Sequence, residues 1–115
     1  MTNASLKTDR TLATAAVLHR ALTEARFARN DAELELETCE DAPWLSGEVD
    51  ARRAAQRAAE RAFGRKQRAW QDFLHANPAT AKQLRQIAGG DPSVNPQLPM
   101  LAAFFNRAMM VDEAA

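Results

Sequence analysis

Leu12, Ala15, Leu18, Leu22 and Ala25 recur at spacings of three and four. At about 100° per residue they fill roughly one third of a helix circumference, the signature of one buried face. The spacing predicts a helix over about residues 9–39, with the Thr8 hydroxyl as its N-cap and Asp9 placing negative charge in the first turn. Its later part, Ala32-Glu33-Leu34-Glu35-Leu36-Glu37, alternates apolar and charged residues as a half-buried strand would. Helix is the reading here. Glu, Leu and Ala are good helix formers, none of the six is β-branched, and no second candidate strand exists to pair with it.

Asp41-Ala42-Pro43-Trp44-Leu45 interrupts the pattern, because proline disfavours the helical conformation in the residue before it and brings no donor of its own. Ser46 is the predicted N-cap of a second helix running through Val49 to about residue 76, with Glu48 in its first turn. Thirty residues make a helix of about 45 Å, which needs a long neighbour. The first helix supplies one, so the two form an antiparallel hairpin over about residues 9–76. With the turn centred near Trp44, residues whose numbers sum to about 88 lie level, and Glu35 faces Arg53 while Asp31 faces Arg57.

Asn77-Pro78 marks a restart, an Asn to cap a short third helix over about residues 78–88 and a Pro suited to its first position. Gly89-Gly90 ends that helix. Residues 91–99 contain three prolines and are expected to be an extended connector. A fourth helix over about 98–111 presents Leu101, Phe104, Phe105 and Ala108 on one side, with Met109 and Met110 adjoining. Either this helix docks on the hairpin, or it exchanges between subunits or grips a partner protein through Leu101, Phe104, Phe105, Met109 and Met110. The fold class is therefore all-α: a long hairpin, a short third helix and an apolar C-terminal helix in a single domain over residues 1–115.

Composition changes this picture in one respect. The apolar share is 46% of 115 residues, but 25 residues are alanine, and Leu, Ile, Val and Phe together number 21. Alanine adds helix propensity and little burial. A thin core on long helices points to a second copy completing it, a homodimer built as a helical bundle. No apolar run is long enough to span a bilayer. The first residues lack a secretory signal pattern, so the expected location is the cytoplasm, and with one cysteine, Cys39, no internal disulfide can form. Twelve Arg against three Lys, with so much Ala, have the style of a GC-rich bacterial coding sequence.

Charge is neutral in sum, with 15 Lys+Arg against 15 Asp+Glu, yet strongly separated along the chain. Residues 31–50 hold eight acids and no base, while residues 51–71 hold seven bases and one acid, Glu60. Arg53, Arg57, Arg61 and Arg65 stand four apart, so they form one row along the second helix, with Arg68 close by. Like charges at that spacing repel, and beyond Arg57 the hairpin register offers few acids. Either this face is solvated or paired with acids of another subunit, or, since arginine's planar fork suits phosphate oxygens and guanine edges, Arg53, Arg57, Arg61, Arg65 and Arg68 are the candidate contacts to DNA or RNA. A ribbon-helix-helix reading would aim glutamates from residues 32–37 at phosphate, and residues 73–88 lack the turn of a helix-turn-helix.

Catalytic chemistry finds little support. Cys39 lies among Glu37, Glu40 and Asp41, which disfavour a thiolate. His19 and His75 fall nearly two turns apart in the hairpin register, no Cys/His spacing supplies further ligands, and Glu33/Glu37 lacks a Glu-x-x-His partner. His75 has a sufficient reason for its place near a helix C-terminus. There is no glycine-rich phosphate loop and no tyrosine. Phe63, Trp70, Phe73 and Leu74 share one side of the second helix and read as core, which Arg52 and Lys66 enter by snorkelling. The expectation is a non-enzymatic accessory protein without metal or cofactor, bound to nucleic acid or to another protein and not to a membrane.

Overall fold

The computed structural model describes residues 3–42, 44, 46–96 and 99–114, with side chains for 10–42, 44, 47–96 and 99–107. Four helices follow one another: α1 (Asn3–Glu40), α2 (Ser46–Ala76), α3 (Pro78–Ala88) and α4 (Pro99–Ala114). Among the described residues there is no strand, and the alternating segment 32–37 is helical throughout. α1 and α2, of 38 and 31 residues, are the two arms of an antiparallel hairpin.

α1 begins at Asn3, ahead of the predicted Thr8 cap, which instead lies inside the helix. The physical reason is visible in residues 4–7, where Ala, Leu and Lys carry good helix propensity and neither Gly nor Pro intervenes. Asn77 also does something other than expected. It makes no side-chain bond to α3; its Nδ2 donates to the Phe73 carbonyl at 2.9 Å and so closes the end of α2. Pro78 opens α3 at a position where a missing N–H costs nothing, and Gly89 ends it in the left-handed region, φ 70°, its N–H bonded to the Arg85 carbonyl at 3.0 Å.

The chain divides into two compact units, Met1–Arg20 with Ala69–Ala115, and Ala21–Arg68. The first holds most of the core: Ala15, Ala16 and His19 from α1, Trp70 and Leu74 from α2, Leu84 from α3, and Leu101 and Phe105 from α4. Its connector is not extended. Residues 91–96 wind into turns in which Asp91 accepts from the amides of Val94 and Asn95 at 3.2 and 3.0 Å. The Asp91 carboxylate also takes the Ser93 amide and hydroxyl at 3.0 and 2.7 Å, a local ring that offers the backbone an alternative to extension. Those two bonds, with Arg85 nearby, hold the Asp91 carboxyl below its ordinary value.

Two buried rings then seize the connector's carbonyls. Trp70 Nε1 donates to Pro92 O at 2.9 Å, and His19 Nε2 donates to Pro96 O at 2.6 Å. Because a carbonyl only accepts, the second bond fixes His19 as the Nε2–H tautomer. Phe105 of α4 completes the cluster, its ring 5.1 Å from His19 and 6.4 Å from Trp70. Tertiary bonding to two proline carbonyls is what converts a proline-rich linker into packed structure.

The second unit is far thinner. Among the described residues its buried apolar side chains are Leu22, Cys39 and Ala42, while Phe27 and Leu34 on α1 and Trp44 in the turn are exposed. Between its helices the Arg29 guanidinium lies 4.2 Å from the centre of the Phe63 ring, a cation held against an aromatic face in place of apolar packing.

Candidate nucleic-acid interface

The arginine row occupies the side of α2 turned away from α1. Phe63 and Arg52, which reach α1, are half-buried, whereas Arg57, Arg61, Arg65 and Arg68 are all exposed. At about 100° per residue these four lie within a quarter of the helix circumference, and from Arg57 to Arg68 the rise is about 16 Å. None of the four has an ion pair among the described residues. Glu60, the one acid in that stretch, stands at the edge of the row and accepts from Gln56 at 2.7 Å. Gly64 sits in the middle of the row, and a Cβ there would meet nothing within 4 Å.

Arg53 differs from the other members of the row. It reaches Glu40 at 3.7 Å, and Glu35 belongs to Arg52 at 2.8 Å, with Glu48 on the same guanidinium at 3.9 Å. The expected pairs Glu35 with Arg53 and Asp31 with Arg57 are not made. Arg52 projects from the inner side of α2 and is half-buried, so it meets Glu35 first, and Arg53 turns toward the end of α1. Lys66, predicted to snorkel from the apolar side, is exposed.

The residues of the alternative surface lie elsewhere. Leu101 is fully buried and Phe105 nearly so, both inside the first unit, and Phe104 is half-buried with its ring 5.5 Å from Phe105. The side chains of Met109 and Met110 lie outside the described residues. Cys39 is a free, buried thiol. Among the described residues, no three His, Cys, Asp or Glu stand together where a metal ion could be held. No described helix is long and apolar enough to cross a membrane.

One concavity, of about 420 Å³, opens in the first unit over a floor of Leu74 and Pro92. Its rim carries His75, Arg85, Asp91 and Ser93, but these polar groups largely serve each other: Arg85 lies 3.7 Å from Asp91, whose other oxygen is taken by Ser93. Sequence reasoning missed this groove because the winding of 91–96 that builds it depends on His19 and Trp70.

Compared with protein-family models, with curated proteins and with solved structures, the chain shows no match in any of the three.

Proposed function

We propose that the protein is a small, non-enzymatic bacterial accessory protein of the cytoplasm that associates with nucleic acid through Arg57, Arg61, Arg65 and Arg68. The observation that carries this reading is the row itself: four exposed guanidinium groups on one side of a long helix, none in an ion pair among the described residues. Nucleic-acid backbones present closely spaced negative charge, and arginine's fork matches phosphate oxygens in two-point contact. Small neighbours, Ala54, Ala58 and Gly64, leave the backbone of α2 approachable between the long side chains. Arg53 contributes less, since Glu40 already neutralises it. The same reading takes the protein to be a homodimer, on the argument of the thin core of the second unit.

Titration of labelled duplex and single-stranded oligonucleotides at several salt concentrations tests the reading. About four phosphate contacts predict a slope of log K against log salt of roughly −3 to −4 on duplex. Arg61→Ala with Arg65→Ala should cut that slope by about half. Absence of saturable binding at low salt would refute the proposal. The alternative, a partner protein gripped by α4, would require Leu101 and Phe105 to leave the core, and their burial gives it less support.

A further inference from the structure

Another side of the second unit carries the complement of the arginine row. Phe27 and Leu34 on α1 are exposed by 57% and 63%. Seven residues apart, they differ by about 20° around the helix and lie roughly 10 Å apart along it. Both point away from Leu22 and Arg29, the residues by which α1 meets its own hairpin partner. Around this apolar pair stand the exposed acids Asp31 and Glu37, whereas Glu24 on the same face already has a partner, as does the exposed Arg20 one turn before it in α1. We propose that this face of α1 docks on the arginine row of α2 in a second copy of the chain, so that a second copy and nucleic acid compete for the same arginines. The competition, though not the docking, rests on the function proposed above.

Charge and shape point to the same occupant. Arg57, Arg61, Arg65 and Arg68 repel one another at their spacing, and an acid-rimmed face laid over them removes that repulsion. Beside the arginines α2 presents the small side chains of Ala54, Ala58 and Gly64, with the exposed acids Asp50 and Glu60 at the borders of the face; the small residues let a neighbouring helix approach and give Phe27 and Leu34 room against arginine methylenes. Pairing the α1 face with its own copy would set acids against acids. The two complementary faces lie on opposite sides of the hairpin in this unit, so each copy offers one face to each of two neighbours. Such a contact is heterologous and adds copies head to tail, where an isologous dimer would close.

Sedimentation velocity of the full chain without nucleic acid tests the docking. Size should grow with concentration at low salt past the homodimer proposed above, without a plateau, and fall back to the size of that dimer at high salt. Phe27→Ala with Leu34→Ala should weaken association roughly tenfold or more while helicity and duplex affinity of the dilute protein stay unchanged, both side chains being exposed. Asp31→Lys and Arg61→Glu should each weaken it alone and associate when mixed. One unchanging size at every concentration, parental assembly by the double alanine variant, or no recovery on mixing would each overturn the docking. Added duplex should dissolve the assemblies. Duplex binding that leaves them intact overturns the competition, whereas assembly without any duplex binding removes the nucleic-acid reading and leaves the docking standing.

Discussion

Trp70 meets His19 edge to face, ring centroids 5.4 Å apart, and each ring donates to a proline carbonyl of the same connector, Trp70 to Pro92 and His19 to Pro96. The core of the first unit is thus polar at its centre and apolar around it. Two buried N–H groups and two buried carbonyls satisfy each other, which is the condition under which polar groups can be buried without penalty.

Trp70→Ala removes a fully buried indole and leaves the Pro92 carbonyl without its donor. The expected loss is about 3–5 kcal/mol, a large part of the stability of a domain this size. Trp70→Phe keeps most of the packing and should cost less, about 1–3 kcal/mol for the missing bond. Urea unfolding of the two variants checks both magnitudes and their order.

Acid should destabilise the protein through His19. Its burial lowers the imidazole below the ordinary value of 6.5, with the bond to Pro96 working in the opposite direction. The unfolded chain therefore binds a proton that the folded chain resists. This contribution to stability is full above pH 6.5 and declines as pH falls below it toward the folded value. Gln at this position can still donate to Pro96 and cannot titrate, so His19→Gln should flatten the profile of thermal midpoint between neutral and mildly acidic pH. Equal slopes in the two proteins would contradict the assignment.

Burial along α3, the connector and α4 sorts further substitutions. Leu84→Ala and Leu101→Ala, both at fully buried sites, should each cost about 2–5 kcal/mol. Val94→Ala, at a residue 79% exposed, should stay within about 0.5 kcal/mol. Loss at Leu101 as large as at Leu84 would place α4 firmly in the folding core; chemical denaturation reads the comparison.

Two glycines should respond with opposite sign to alanine. Gly89 has φ 70°, where a Cβ is strained, so Gly89→Ala should destabilise by about 1 kcal/mol. Gly64 lies inside α2 with open space at its Cβ position, and Gly64→Ala should stabilise by about 0.5–1 kcal/mol. Thermal midpoints of the pair give the test.

What the sequence made legible is what local rules control. The hairpin, the restart at Pro78 and the stop at Gly89 follow from periodicity, proline and glycine, each acting within a few residues. Thr8 misled because a capping residue is only a permission to start a helix, and nothing before it forbade one. The pairing of Arg52 with Glu35 escaped because a level rule for backbones ignores how far an arginine reaches and which way it turns. The winding of 91–96 was invisible for a deeper reason: it is imposed by side chains from two other helices. As for the candidate site, the arginine row was readable from four-residue spacing, but its freedom from ion pairs depended on where each acid went. The exposure of Phe27 was readable too, since it lies well away from the stripe that contains Leu22.

The placement of the two tryptophans makes the protein its own optical probe. Trp70 is fully buried in the first unit, and Trp44 is 82% exposed in the turn of the second. Their emission should differ in wavelength and in access to a neutral quencher. Unfolding of the core therefore reports through the blue component, and events at the hairpin turn report through the red one, without a label on the chain.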